Sequence, residues 1–173
     1  MRRRLSSAAR AELLPASGGG WHLSRSFRDR CQETFGFHRV SAFSRQDTRI
    51  LCLGSFNPAA PPLMRAWIRE ALQIWAEPVE IDMIVGKDRE GFFTNGLTLG
   101  AKKCSVIRDS LYVDGDCTMD IRTKSQGGEP TYNVAVGRAG RVLVFVMGKE
   151  GVHGGGLNKK AYSMAKYLRD SGF

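Results

Sequence analysis

Basic side chains occupy polar positions of two alternating stretches in the second half of this sequence. Arg108 lies in the run CSVIRDSLYV, and Arg122 and Lys124 lie in CTMDIRTK. Because both runs alternate apolar and polar residues, as strands with one covered face do, their basic members should project from one face of a sheet. Such cations can attract an acidic protein surface or an anionic headgroup and fix how it docks. A solvated sheet face is the competing interpretation.

His153 and the three glycines that follow it are a second group with chemical potential. A glycine run can bring backbone amides close to a phosphate, but the Lys-Ser or Lys-Thr pair of a phosphate-binding loop is missing here. No nucleophile or acid is spaced around His153 as acid–base catalysis requires. We therefore expect no catalytic residue, a glycine loop that approaches a protein partner, and His153 as a contact residue.

The cysteine spacing and the hydropathy argue against a metal-binding, a disulfide-stabilised or a membrane-spanning protein. The four cysteines form no CxxC pair and have no metal-like spacing with the three histidines, so we expect reduced thiols, no metal site and no cofactor. No apolar run approaches the roughly eighteen residues that span a bilayer, so the chain is not expected to cross a membrane.

Arginine and lysine usage divides the chain into two parts. Residues 1–78 hold twelve arginines, no lysine and six acidic residues, whereas residues 79–173 hold fourteen basic and eleven acidic residues. The net charge of +9 favours acidic partners. The opening stretch MRRRLSSAARAELLPASGGG has the composition of a mitochondrial presequence, with a disordered basic tail as the alternative. We expect residues 1–78 to be a mostly disordered, arginine-rich segment.

Two elements stand out inside this arginine-rich segment. The run RILCL is a candidate strand. The run LMRAWIREALQIW predicts a helix over residues 63–76, which starts after Pro61 and Pro62 and ends before Pro78.

From residue 79 onward the patterns predict an antiparallel sheet with a helix packed on it, an α/β fold of the α+β type. IDMIVG is expected to be helical, the Asn95-Gly96 pair indicates a hairpin, and RVLVFVMG, apolar on both faces, indicates a central strand. In the first alternating run one face should carry Ile107, Leu111 and Val113, and the other face Arg108, Ser110 and Tyr112. In the second run the inward residues should be Cys117, Met119 and Ile121. The closing helix should bury Leu157, Ala161, Met164, Ala165 and Leu168.

Several motifs of this second part together resemble vertebrate profilin, and most of all its second vertebrate isoform. They are GKDREGFFTNGLTLGAKKCSVIRDSLY, MDIRTKS, VFVMGKEGVHGGGLNKKAY and the closing helix, and the resemblance covers 95 of 173 residues. The family's N-terminal helix and first two strands are not recognisable in residues 1–78. The resemblance therefore implies an alternative N-terminal form with an incomplete profilin-like fold over residues 79–173, preceded by a largely irregular segment with one helix.

The resemblance also implies three binding functions and no enzyme activity. Binding of monomeric actin, with regulation of its polymerisation and of cytoskeleton organisation, maps onto Phe93, Lys103, Ser105, Val106, Arg108, Arg122, Lys124, His153, Gly155, Asn158, Lys159 and Tyr162. Phosphoinositide binding overlaps that face through Lys103, Arg108, Arg122, Lys124 and Arg169. Binding of proline-rich proteins is expected to be weakened, because only the C-terminal contributors are matched, namely Tyr167, Leu168 and Phe173.

The missing strands leave a second hypothesis open. An unpaired sheet edge and an uncovered sheet face would make the domain marginal unless RILCL and the helix over residues 63–76 fill the gap. The alternative is thus a poorly folded form without actin activity, diverted by its arginine-rich N-terminus. We expect a cytoplasmic, cytoskeletal protein without a nucleic-acid partner, with mitochondrial targeting as the alternative location.

Overall fold

The computed structural model describes residues 13–15, 21–23, 25–27, 29, 33, 39–45, 48–54, 78–100, 102–140, 142–148 and 150–172. The strands are β1 (Leu13–Pro15), β2 (Trp21–Leu23), β3 (Arg39–Arg45), β4 (Thr48–Gly54), β5 (Leu97–Leu99), β6 (Lys102–Ser110), β7 (Thr118–Thr123), β8 (Asn133–Ala139) and β9 (Val142–Met147). The helices are α1 (Pro78–Val85), α2 (Gly91–Asn95) and α3 (Gly154–Asp170). None of these helices is long and apolar enough to cross a membrane.

Seven strands form the main sheet, in the order β3-β4-β9-β8-β7-β6-β5, while β1 and β2 pair with each other. Every neighbouring pair in the main sheet is antiparallel except β4 and β9, which are parallel. The predicted antiparallel sheet with a C-terminal helix is confirmed. The central position predicted for RVLVFVMG is also confirmed, since β9 lies between β4 and β8 and Val142–Val146 are buried.

Strands β3 and β4 fill the sheet position that the family's unrecognised first strands would leave open. They form a hairpin whose register runs from Arg39 opposite Gly54 to Arg45 opposite Thr48. Strand β4 then pairs with β9, from Arg49 opposite Val142 to Gly54 opposite Met147. The strand prediction for RILCL is therefore confirmed, and the edge of β9 is not left unpaired. The predicted helix over residues 63–76 lies outside the described residues, and the boundary between residues 78 and 79 stays a prediction.

One apolar cluster joins α3 to the sheet. All five residues predicted for the buried face of α3 are buried, and they pack against Ala135, Ala139, Val142, Val144 and Val146. Phe27, which belongs to the upstream segment, lies in the same cluster. A helix that buries residues at this spacing covers one face of the sheet, as predicted.

A second apolar cluster covers the other face of the sheet. It brings Ile81 and Ile84 of α1 and Phe92 of α2 against Met119, Ile121, Val134, Val136, Leu143 and Phe145 of the sheet. The helix predicted for IDMIVG is confirmed as α1, which begins at Pro78, a position where proline loses no helical hydrogen bond.

The hairpin predicted at Asn95-Gly96 is wrong. FFTN belongs to α2, and Gly96 ends this helix with φ of +67° and a backbone N–H bond to the carbonyl of Phe92. The chain reverses four residues later, between β5 and β6, where Gly100 has φ of +57°. Since glycine tolerates positive φ both at helix ends and in tight turns, an Asn-Gly pair does not distinguish the two.

Ile107, Leu111 and Val113 do not share one face, contrary to the prediction. A bulge in β6 displaces Ile107, and Val113 lies in the turn that follows β6. Val106 pairs with Ile121 and Arg108 pairs with Asp120, which leaves Ile107 as an extra residue. Ile107 and Val113 are 61% and 56% exposed, whereas Leu111, Met119 and Ile121 are buried as predicted. Cys117 is half-buried ahead of β7 rather than inside the core.

Gly137 of β8 sets how closely α3 approaches the sheet. A Cβ atom at this residue would lie 2.7 Å from the carbonyl oxygen of Ala161 and 3.0 Å from the Cβ of Ala165. We expect Gly137→Ala to lower the free energy of unfolding by about 1–3 kcal/mol, because the helix must move away. Gly156→Ala is the matched control: its Cβ meets nothing within 4 Å, so the first turn of α3 should gain about 0.5–1 kcal/mol. Urea denaturation followed by circular dichroism measures both, and equal stabilities would contradict the packing described here.

Burial raises the pKa of the Cys104 thiol from its ordinary 9.0 to about 11. Between these values the unfolded chain has lost the thiol proton and the folded chain has kept it, so stability falls as pH rises from 9 through 11. We expect this loss to be on the order of 2 kcal/mol. It is measured as the difference between wild type and Cys104→Ala in urea unfolding at pH 8 and pH 11. The same pH dependence in both proteins would contradict the burial of Cys104.

Candidate binding face on the sheet and C-terminal helix

Strands β6 and β7 present a polar face on the side of the sheet where α3 lies. Met119 and Ile121 point to the opposite side, into the second apolar cluster, so the alternating Asp120 and Arg122 point towards the α3 side. Ser105 of β6 pairs with Arg122, so Ser105 lies on the same side of the sheet as Asp120 and Arg122. Helix α3 packs on β7, β8 and β9, so the polar face continues from β6 and β7 to its first turns.

At one end of this face Arg108 is held between two carboxylates. Its Nε lies 3.1 Å from Oδ2 of Asp120, and its Nη1 lies 3.2 Å from Oδ2 of Asp116. Its Nη2 also donates to the hydroxyl of Thr118 at 3.0 Å. Two negative charges thus balance the guanidinium, and the half-exposed side chain is fixed in one orientation.

Asn158 connects α3 to the same group of polar residues. Its Nδ2 donates to the Thr118 hydroxyl at 3.1 Å and to Oδ1 of Asp120 at 2.9 Å. Arg108, Asp116, Thr118, Asp120 and Asn158 are called the polar clamp below. The clamp joins β6, β7 and α3, so the two parts of the face keep a fixed relative position.

The other end of the face carries an excess of positive charge. Lys103, Arg122 and Lys124 are exposed, and the backbone N–H of Lys124 bonds to the carbonyl of Lys103 at 2.8 Å. The Arg122 guanidinium donates to the neutral hydroxyl of Thr131, at 2.9 Å from Nη2. These three cations are called the basic end below. One end of this sheet face has balanced charges and the other end is positively charged. Such a face can orient an acidic partner.

Helix α3 continues the face from the basic end, but not as a glycine loop. The loop prediction is wrong: His153 is the N-cap and the helix begins at Gly154, so the glycines form its first turn. Gly155 is exposed and a Cβ there would meet nothing within 4 Å. The side chains of His153 and Lys159 are exposed and Tyr162 is half-buried. A partner can therefore approach this turn closely.

Not all predicted residues are brought together on this face. Val106 is only 8% exposed and belongs to the second apolar cluster, behind the face. Phe93 is 61% exposed on α2, which packs against the opposite side of the sheet. Arg169 lies in the last turn of α3, where its Nη1 donates to the Arg138 carbonyl at 2.6 Å and its guanidinium lies 5.8 Å from the Tyr162 ring.

The three residues predicted to bind proline-rich partners differ in exposure, and one of them is not described by the structure. Leu168 is 1% exposed inside the cluster between α3 and the sheet, and Tyr167 is half-buried beside Phe27. Phe173 lies outside the described residues.

Sequence reasoning missed the acidic half of the polar clamp and the aromatic neighbour of Tyr167. Strand pairing of the two alternating runs would have placed Asp120 beside Arg108, since both lie on the polar side. Phe27 gave no signal, because residues 17–48 show no sustained period. In the described part of the chain no group of three or more His, Cys, Asp or Glu residues is placed to hold a metal ion.

The profilin family model matches residues 60–173 of this chain. Profilin-2 of Homo sapiens is 99% identical to it over 96 residues, which are 56% of this chain and 69% of that protein. Profilin-1 of Bos taurus is 63% identical over 94 residues, which are 54% of this chain and 67% of that protein.

Solved structures extend the similarity to the upstream segment. Mouse profilin IIa in complex with a double repeat from the FH1 domain of mDia1 matches with a TM-score of 0.55 and 99% identity, over 56% of this chain and 70% of that one. Human profilin II matches with a TM-score of 0.60 and 57% identity, over 84% of this chain and 98% of that one. The second superposition thus extends beyond the stretch of near-identity. The chain belongs to the profilin family, whose members are actin-binding proteins that regulate polymerisation and are not enzymes.

Proposed function

We propose that this chain binds monomeric actin and regulates actin polymerisation and cytoskeleton organisation through the face formed by β6, β7 and the first turns of α3. The observation that carries the proposal is the basic end, where Lys103, Arg122 and Lys124 are exposed. Arg122 pairs with Asn133, whose side-chain amide donates to the carbonyl of Val152 just before α3. Uncompensated cations on a rigid surface attract an acidic partner and set its orientation.

The polar clamp supports this proposal by fixing the geometry of the face. Because Arg108 is held by Asp116 and Asp120, and Asn158 bonds to the same strand, the face is ordered before a partner arrives. A surface that is already ordered loses less conformational entropy on binding. In this account Arg108 orders the face, while the basic end supplies the attraction.

Phosphoinositide headgroups are proposed as competitors for the basic end. Each basic residue near an anionic membrane surface contributes about 1 kcal/mol, so Lys103, Arg122 and Lys124 together favour lipid binding. Arg108 should contribute less, because two carboxylates already balance it. Arg169, in the last turn of α3, would form a separate contact.

Binding of proline-rich proteins is proposed as a weakened function of α3. Its support is the similarity to mouse profilin IIa, whose structure was solved with a double repeat from the FH1 domain of mDia1. Tyr167 keeps a partly accessible ring, whereas Leu168 is buried.

We place the protein in the cytoplasm with the cytoskeleton. The pairing of β4 with β9 favours this function over that of a poorly folded form, since the sheet edge is covered.

Charge reversal on α3 tests the actin proposal. We expect saturable binding of fluorescently labelled monomeric actin by the full-length chain, and at least tenfold weaker binding by Lys159→Glu, because a rim charge of the wrong sign repels an acidic partner. Lys87→Glu is the control, since Lys87 is exposed beyond α1, on the other side of the sheet, and the change in charge is the same. Equal affinities of the two variants would contradict the proposed face.

Competition between lipid and actin tests the overlap of the two proposed sites. Vesicles that contain phosphoinositide should release labelled actin from the chain, whereas vesicles of phosphatidylcholine alone should not. Arg122→Gln should reduce vesicle binding and make the remaining binding less sensitive to added salt, because one of three cations is removed. Lys87→Gln should leave binding unchanged. Simultaneous binding of actin and phosphoinositide vesicles would refute the shared site.

A further inference from the structure

Ser125 directly follows the basic end, at the point where the chain leaves β7. Its side chain is exposed, and its backbone belongs to neither a strand nor a helix. In the part of the chain that the structure describes, no residue forms a hydrogen bond with its hydroxyl. Arg122 precedes it by three residues and Lys124 by one. Two cations of the basic end are therefore close in sequence to an accessible hydroxyl.

We propose that Ser125 is a phosphorylation site and that its phosphate weakens binding at the basic end. The proposal rests on the proposed binding of anionic partners by that end. A protein kinase would transfer the γ-phosphoryl group of ATP to the Ser125 oxygen. The bond between the γ-phosphorus and the oxygen that bridges to the β-phosphorus breaks, ADP leaves, and the hydroxyl proton is released.

The neighbouring hydroxyl groups are less available than that of Ser125. Thr123 is 7% exposed, and its hydroxyl accepts the backbone N–H of Tyr132 at 2.8 Å. Thr131 is half-buried, and its hydroxyl accepts from the Arg122 guanidinium. Among the serines that the structure describes, Ser125 is the one that is both exposed and outside helices, strands and turns.

The loop that follows Ser125 can adapt to the cleft of an enzyme. Gly127 and Gly128 have φ of +80° and +87°, and a Cβ atom at either residue would meet nothing within 4 Å. The loop therefore has no close packing at these two residues. The cations that precede Ser125 suit a kinase with an acidic substrate cleft, since kinases select substrates in part by charge.

A phosphate at Ser125 would balance much of the charge at the basic end. Phosphoserine adds about −1.5 to −2 at pH 7, so three positive charges would fall to a sum of about +1 to +1.5. Lys103 is distant in sequence but close in space, because its carbonyl accepts the backbone N–H of Lys124 at 2.8 Å. Glu129 of the same loop is paired with Lys102 at 2.8 Å. This carboxylate therefore does not already balance the basic end.

Treatment of the full-length chain with the catalytic subunit of protein kinase A, ATP and Mg²⁺ tests the site. This kinase favours serines that basic residues precede. Tandem mass spectrometry should locate phosphate at Ser125 in the wild type and none at this position in Ser125→Ala. Ser163 is the matched internal control, because it is exposed and Lys160 precedes it by three residues, but α3 holds its backbone in a helix. We expect at least tenfold less phosphate at Ser163 than at Ser125.

Vesicle binding before and after this treatment tests the effect of the phosphate. Vesicles that contain phosphoinositide should bind the phosphorylated chain at least tenfold more weakly than the untreated chain, because about half or more of the local charge is balanced. Ser125→Ala should bind equally with and without treatment. This variant controls for phosphate elsewhere in the chain.

The outcomes separate the site, its effect and the function on which the effect depends. Absence of phosphate at Ser125, or as much phosphate at Ser163, would overturn the proposed site. Phosphate at Ser125 with unchanged vesicle binding, or an equal loss of binding in treated Ser125→Ala, would overturn the proposed effect, while lipid binding would stand. Absence of vesicle binding by the untreated chain would overturn the proposed lipid site, and the effect of the phosphate with it.

Discussion

The parallel pairing of β4 with β9 is the contact on which the rest of the structure depends. Strand β9 is buried on both faces, and its outer edge must be paired or covered for the two apolar clusters to close around it. A segment without recognisable similarity to the family's first strands supplies this pairing. Backbone hydrogen bonds make this possible, since strand pairing depends on the backbone more than on side-chain identity.

The pairing of β4 with the edge of β9 determines whether the binding face forms. Helix α3 packs on β8 and β9 through one cluster, and Asn158 of that helix meets Asp120 of β7 in the polar clamp. The face is therefore built from two elements whose relative position depends on the core beneath them. The upstream segment has a second effect, since it also brings Phe27 against Tyr167.

Sequence patterns correctly predicted the elements with strong apolar periodicity. The predictions were wrong where a bulge or a helix end sets the direction of the side chains or the chain. The buried face of α3, the central strand β9 and the inward Met119 and Ile121 follow from apolar spacing alone. The bulge at Ile107 shifts the alternation by one residue, and a bulge leaves no mark in the composition of a strand. Gly96 ends a helix instead of making a hairpin, because both positions accept positive φ. The contacts of Arg108 with Asp116 and Asp120 depend on the register in which β6 pairs with β7. The periodicity of the sequence does not determine this register.

Hydrogen exchange of the backbone amides of residues 48–54 in the full-length chain tests the central claim most directly. The amides of β4 that pair with β9 should exchange as slowly as those of residues 142–147, because strands of one closed sheet open together. Exchange of residues 48–54 at the rate of an unstructured peptide, with residues 118–123 and 133–139 still protected, would contradict the account. The upstream segment would then not complete the sheet.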